Sequence, residues 1–279
     1  MRVFLVDNGS LRPQAVLALR AVATKLAEQT GLVVEAVSLL HSSKIPPQKL
    51  EGAPASIVEE RLAECTGAGE LNILILPMFL GPSLAIEELL FRLIRDAQLT
   101  TPQLKVRVAP PLAGNDAECP DIRLARILAD HVQKTVERDR LSKPVVALVD
   151  HGTPHRPVNR LRNAVARQLE GLLEAEVSEV IACSMERRGG DEFSFNEPLL
   201  ESIGGGSLSN KQCVAAMFFL LPGRHAGPGG DVAEICDGLI ERRRFRSLHI
   251  SPLLASHPLT CEILSDRIAE AVESEPART

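Results

Sequence analysis

Apolar residues along this chain switch between two spacings. Val3–Val6 is a short continuous apolar run that ends at Asp7, the pattern of a strand buried on both faces of a parallel sheet. Residues 14–29 change period, with Val16, Leu19, Val22, Ala23 and Leu26 recurring at helical spacing. LVVEAVSLL (32–40) predicts a strand, a helix around 56–66 follows a loop with Pro46 and Pro47, and LNILILPMF (71–79) predicts the next strand. Leu84, Ile86, Leu89, Leu90, Leu93 and Ile94 mark a helix, VRVAP (106–110) a strand and residues 121–138 another helix. In the second half, strands are predicted at 145–150, 179–185, 213–221 and 248–252. Helices are predicted at 157–173, 231–243 and 259–274, with a short irregular or helical segment near 195–203.

The pattern also repeats. VFLVDNGS (3–10) and VALVDHGT (146–153) share an apolar run, an Asp, a variable polar residue, a Gly and a small hydroxyl residue. At the same offset of 143 positions, Ala21-Val22-Ala23 and Leu26 return as Ala164-Val165-Ala166 and Leu169. Alternating strands and helices of these lengths imply an α/β fold with parallel sheets, right-handed crossovers and helices on both faces. We therefore expect two similar lobes, residues 1–140 and 141–279, meeting in the polar stretch Glu137–Lys143. Each would be a parallel sheet of about four strands with flavodoxin-like topology, and each is long enough to bury a core.

Composition narrows the classes. Of the 279 residues 45% are hydrophobic and 24% charged, with a formal net charge of −5, ordinary for a globular protein. That charge argues against a broad electrostatic footprint for nucleic acid. No apolar run approaches the roughly 18 residues needed to span a bilayer, and no leader sequence is evident. A membrane partner is thus not expected, and a cytoplasmic location is. The six cysteines are scattered without a CxxC pair and read as reduced thiols.

On sheets of this type, ligands bind beyond the carboxyl ends of the strands. In the second half those positions hold Asp150-His151-Gly152-Thr153, then Met185-Glu186-Arg187-Arg188, then Pro222-Gly223-Arg224-His225. A Gly-rich stretch, 226–230, leads from the last of these to Asp231. Three successive strands thus deliver His151, Glu186 and His225 to one sheet edge. Two imidazoles and a carboxylate suit a borderline divalent metal such as Co, Ni, Fe or Zn, and they suit base chemistry near neutral pH. The first half offers Asn8, His41 and a Gly81–Ile86 stretch without histidine; Asn is a poor base, and His41 reads as structural. His131 and His155 read as helix and loop surface, His249 as a satisfied strand residue and His257 as a turn or helix-start residue. The basic run 241–246 reads as a solvated helix end. GxGxxG is absent, so the Gly-rich stretch 226–230 is not a dinucleotide fingerprint.

Taken together, the His-Gly-Thr strand end, the Glu after the next strand, the Pro-Gly-x-His loop with a helix-starting Asp, and the duplication resemble the class II tetrapyrrole chelatases. The likeness is to the sirohydrochlorin cobaltochelatase/ferrochelatase type (CbiX/SirB-like), and it extends over both lobes through VRVAPPLAGND and LHISPLLASHPL. It implies ATP-independent insertion of Co²⁺, Fe²⁺ or Ni²⁺, the metal being substrate, into a sirohydrochlorin-type tetrapyrrole held in a cleft between the lobes. His151 and His225 then bind the incoming metal and help take the pyrrole protons, and Glu186 assists. A monomer suffices for such a site. One departure stands out: family members have about four residues from the loop histidine to the helix-starting Asp, whereas His225 and Asp231 are six apart. A Gly-rich turn opening a helix offers free N–H groups to an anion. Gly229 and Gly230, with Arg187, Arg188 and Arg224, are therefore the expected partners of tetrapyrrole carboxylates. Two other readings stay open. One is a non-catalytic tetrapyrrole- or metal-binding protein on the same scaffold. The other is an unrelated flavodoxin-like enzyme that binds a phosphorylated small molecule at the Gly-rich helix start.

Overall fold

Two parallel sheets form where the apolar runs predicted them. The computed structural model describes residues 1–273. The first sheet holds β1 (Arg2–Asp7), β2 (Val33–Ser38), β3 (Ser56–Ile57), β4 (Asn72–Pro77) and β5 (Lys105–Val108), in the order β3-β2-β1-β4-β5. The second holds β6 (Val145–Asp150), β7 (Glu179–Ser184), β8 (Gln212–Met217) and β9 (Ser247–Ile250), in the order β7-β6-β8-β9. Every pairing is parallel. The central strands explain the continuous apolar runs: all of β6 is buried, and β1 from Val3 to Asp7. Such strands are covered on both faces, and each fully buried Val or Leu contributes about 1.5–3 kcal/mol relative to exposure.

The helices are α1 (Pro13–Thr30), α2 (Val58–Gly67), α3 (Phe91–Thr100), α4 (Ile122–Asp139), α5 (Arg156–Leu173), α6 (Asp231–Glu241) and α7 (Pro258–Glu273). Their ends follow local chemistry. Pro13 starts α1, where its missing N–H is no loss, and Gly31 ends it at φ +69°. Asp121 caps α4 by accepting the Arg123 N–H.

Three sequence expectations need correction. The first sheet has five strands, because Ser56–Ile57, expected as the start of a helix, pairs with Val37–Ser38. The helix expected from Leu84 opens as a wide π turn at Ala85–Leu90 before α3. The chain also parts elsewhere than at 140/141. Its compact units are Met1–Asn115 with the stretch from Pro258, and Asp116–His257. Packing explains the shift. The apolar stripe of α4 (Leu124, Ile127, Leu128, Val132) lies against α5 and β8, while that of α7 lies against α1, β4 and β5. Among the described residues, no helix is long and apolar enough to cross a membrane.

The likeness between the two halves reaches beyond the strands. Asp7 and Asp150 are both buried at strand ends, and each accepts the N–H of the Gly two residues on at 3.1 Å. The loops after β4 and β8 are met in the same way: Leu112 and Ala113 donate to Phe79 and Leu80, and Leu254 and Ala255 donate to Phe219 and Leu220.

Candidate active site

β6 pairs with β7 on one side and β8 on the other, and β9 lies beyond β8, so the crossovers from β6 and from β8 leave in opposite directions. The crevice beyond such a switch point is where ligands bind in open α/β sheets. His151 follows β6 directly, Glu186 lies just past β7 and His225 in the loop after β8. The β6–β7 ladder continues past its strand ends, since Met185 N–H donates to Asp150 O at 2.7 Å and Glu186 N–H to His151 O at 3.2 Å. Gly152 permits this closeness. Its φ is +91°, and a Cβ there would stand 1.9 Å from the Glu186 carbonyl oxygen.

The three expected residues come together. His151 Nε2 stands 3.6 Å from Glu186 Oε1, both side chains being exposed. The His151 and His225 rings meet edge to face with centroids 4.5 Å apart. His151 Nδ1 lies 3.0 Å from Gly152 O; a proton there would donate to that carbonyl and leave the Nε2 lone pair toward Glu186. His225 is held differently. Its Nδ1 is 2.6 Å from Asp231 Oδ2, at the start of α6. A carboxylate there accepts the Nδ1–H hydrogen bond, keeps the proton on Nδ1 and directs the Nε2 lone pair outward, the usual support for a metal-binding imidazole. The six-residue spacing therefore still delivers Asp231 to His225. Among the described residues, no group of three or more His, Cys, Asp or Glu is arranged to hold a metal ion.

The Gly-rich loop does not present the free N–H groups expected of it. Gly230 N–H donates to Gly227 O, Asp231 N–H to Arg224 O and Val232 N–H to His225 O. The helix start is closed by its own loop. Ala226 is buried in the core, and a Cβ at Gly230 would lie 3.0 Å from the Arg224 and His225 carbonyls. These glycines let the loop pack down on α6, and the Gly230 N–H expected to meet an anion is spent within the loop. Of the three arginines, Arg187 is engaged in its own loop, donating to Glu197 Oε1, Arg188 O and Gly190 O. Arg188 and Arg224 are exposed, with Arg224 Nε 3.6 Å from Asp231 Oδ2.

Beneath His151 lies a buried polar network. Ser184 Oγ donates to Asp150 Oδ1 at 2.6 Å, and Arg162 Nη1 donates to Ser184 Oγ at 2.6 Å. Burial pushes the Asp150 carboxyl above its ordinary range, with Arg162, Ser184 and the Gly152 N–H pulling the other way. Asn196 clasps Thr153: its Nδ2 donates to Thr153 O at 2.9 Å, and its Oδ1 accepts the Thr153 N–H at 3.0 Å. Sequence reasoning missed Arg162, Ser184 and Asn196. One signal for Arg162 was available: it is a charge on the apolar stripe of Leu161, Val165 and Leu169.

The first sheet repeats the framework with Asn8 where the second has His151. Gly9 has φ +90°, and a Cβ there would stand 1.7 Å from Leu40 O. Asn8 is exposed. His41, at φ +68°, starts the 3₁₀ turn Ser42–Lys44. Among the other histidines, His131 is buried rather than on the surface; desolvation and the neighbouring His257 hold its pKa down to about 4. His257 Nε2 lies 3.2 Å from Asp130 Oδ2. His249 meets Asp139 at 2.8 Å and Ser247 at 3.1 Å, as a satisfied strand residue should.

No family model matches the chain. No curated protein matches it in sequence. Solved structures do match. SirB from Bacillus subtilis with Fe³⁺ is 18% identical, with 98% of this chain and 96% of that one covered at a TM-score of 0.66. The sirohydrochlorin chelatase SirB from Bacillus subtilis subspecies spizizenii, in complex with cobalt, is 15% identical, with coverage of 98% and 96% and a TM-score of 0.69. CbiX, described as the terminal enzyme for biosynthesis of sirohaem in denitrifying bacteria, is 18% identical, with coverage of 97% and 99% and a TM-score of 0.55. At these identities the likeness is one of fold, and it is the chelatase fold expected from the sequence.

Proposed function

We propose that this protein inserts a divalent metal into sirohydrochlorin or a near relative, with the chemistry on the second sheet. The observation that carries this reading is the meeting of His151, Glu186 and His225 at the β6/β8 switch point, on a fold shared with sirohydrochlorin chelatases. Insertion exchanges one M²⁺ for two pyrrole N–H protons. Neutral imidazoles can hold the cation through Nε2 and let it pass to the pyrrole nitrogens, or accept the departing protons. Asp231 keeps the His225 Nε2 lone pair available, and Glu186 stabilises the imidazolium formed at His151. A cation held by imidazole nitrogens alone is released more readily than one in a closed four-ligand cage. Exposed Arg188 and Arg224 pair with substrate carboxylates. Cobalt is the first metal to test, then iron and nickel, since His and Glu tolerate all three.

The test follows sirohydrochlorin absorbance with Co²⁺, then with Fe²⁺ or Ni²⁺ without oxygen. Conversion faster than the protein-free rate, and lost in His151→Ala and His225→Ala, is the expected result. Tetrapyrrole that binds but is not converted would favour a carrier on the same scaffold, and absence of binding would overturn the tetrapyrrole reading.

A further inference from the structure

Arg162 heads the fully buried side chains by size, with 1% of its surface exposed, and the proposed chemistry does not touch it. A guanidinium is a costly group to bury unless it is paired, and its partners suggest why it is there. Nη1 donates to Ser184 Oγ at 2.6 Å and to Asn196 O at 3.2 Å, and it lies 3.6 Å from Asp150 Oδ1. From Ser184 the route runs to Asp150 Oδ1, which also accepts the Gly152 N–H at 3.1 Å. From Asn196 it runs to the N–H and C=O of Thr153. The two residues after His151 are thus both gripped through routes that begin at one guanidinium. Ser184 also sits two positions before Glu186, so the same side chain fixes the strand end that carries the carboxylate.

The first repeat supplies a comparison inside the same molecule. At the 143-residue offset, Asp7, Gly9 and Ser10 stand for Asp150, Gly152 and Thr153. Ser38 ends β2 as Ser184 ends β7. Asn8 stands for His151 and buried Leu19 for Arg162. The copy with the histidine has the arginine, and the copy with asparagine closes around leucine. We propose that Arg162 is a positioning residue, locking the β6 and β7 ends so that His151 and Glu186 keep their 3.6 Å separation. The activity part of this proposal rests on the chelatase reading; the part concerning His151 does not.

The test uses Arg162→Leu, which installs the first repeat's own residue, together with Arg162→Lys and Ser184→Ala. Two readouts are taken: kcat and KM for sirohydrochlorin, and the imidazole ¹⁵N NMR signals of His151 beside those of His249 as an internal reference. Arg162→Leu is expected to lower kcat about 10- to 100-fold, the scale of an ångström-size misplacement of a reacting group, with KM within about twofold. Its His151 signals broaden or shift while those of His249 stay. Arg162→Lys keeps the charge but only one point of contact, and it falls between the two. A merely structural role would lower the melting temperature while leaving kcat per folded molecule and the His151 signals unchanged, and that result overturns the proposal. If Arg162→Leu does not fold, Ser184→Ala decides by the same readouts. If the wild type converts sirohydrochlorin with none of the metals, the chelatase reading fails on its own. The NMR arm then decides: unchanged His151 signals in the variants reject the positioning role.

Discussion

Gly152→Ala probes the site framework at its narrowest point. The added methyl would stand 1.9 Å from the Glu186 carbonyl oxygen, whereas ordinary contact begins at 3.4 Å. One backbone or the other must therefore move by about 1.5 Å, the gap between those two distances. A φ of +91° adds the left-handed penalty for a residue with a Cβ, about 1–2 kcal/mol. Forcing a packed backbone aside adds about 1–3 kcal/mol, so the variant is expected to lose about 2–5 kcal/mol of stability. The group in the way is the Glu186 peptide itself, so the 3.6 Å His151–Glu186 separation opens and kcat falls as well. Two companions calibrate the result. Gly9→Ala meets Leu40 O at 1.7 Å with φ +90° and should lose comparable stability while keeping its kcat. Gly206 has φ +54° and nothing within 4 Å, so Gly206→Ala should show the left-handed penalty alone. Urea unfolding gives the three stabilities, and sirohydrochlorin kinetics well below each midpoint give the activities. Gly152→Ala as stable as Gly206→Ala would refute the close approach. Gly9→Ala losing as much kcat as Gly152→Ala would refute confinement of the chemistry to the second sheet.

Asp231→Asn removes the charge that holds His225 Nδ1 at 2.6 Å and is expected to lower kcat about 10- to 100-fold; an unchanged kcat in the absorbance assay removes Asp231 from the site. His131 stays neutral in the fold down to about pH 4, against an ordinary 6.5. Its contribution to stability is therefore whole above pH 6.5 and is lost as pH falls toward 4, about 3 kcal/mol in total at 1.36 kcal/mol per unit. Urea midpoints measured from pH 7 to 4 should fall less steeply in His131→Phe than in the wild type. Cys119 is the exposed thiol among the described cysteines, while burial pushes Cys183 and Cys213 up and Cys236 up to about 12. A disulfide reagent should find one fast thiol in the native protein, and a second fast equivalent would contradict the burial.

Strands and helices were legible because buried parallel strands and amphipathic helices impose different spacings on apolar residues. What escaped was set by short-range geometry or by packing at a distance. Ser56–Ile57 forms only two residues of strand, too few for any period to register. Residues 121–138 read correctly as a helix, but nothing in their own pattern says which sheet their stripe covers, and the expected boundary at 140 fell with that choice. His131 read as helix surface, yet it is buried with its ring edge-on to that of His257. The convergence of His151, Glu186 and His225 was readable because each follows a strand of one parallel sheet, and counting strands places them at one edge. The state of the Gly-rich loop was not readable, because glycine signals either an open anion cradle or tight packing, and the carbonyls that fill its N–H groups lie within the same loop.

The two similar halves separate what the shared framework needs from what the proposed chemistry needs. Both copies keep the Asp at the strand end, the Gly at positive φ and the Ser that ends the next strand, so these residues close one strand end against another whatever lies between them. The residue between Asp and Gly is exposed in both copies, as Asn8 and as His151, and can change without disturbing the core. Asp7 is buried without an arginine, and burial pushes its carboxyl up against the hydrogen bonds from Ser38 and the Gly9 N–H, so the framework tolerates that Asp without a cation beside it. Arg162 is then not needed to bury Asp150, since the first copy does the equivalent with Leu19. An arginine that the architecture does not require, buried behind the copy that carries the histidine, is better explained by what it holds in place than by what it adds to stability.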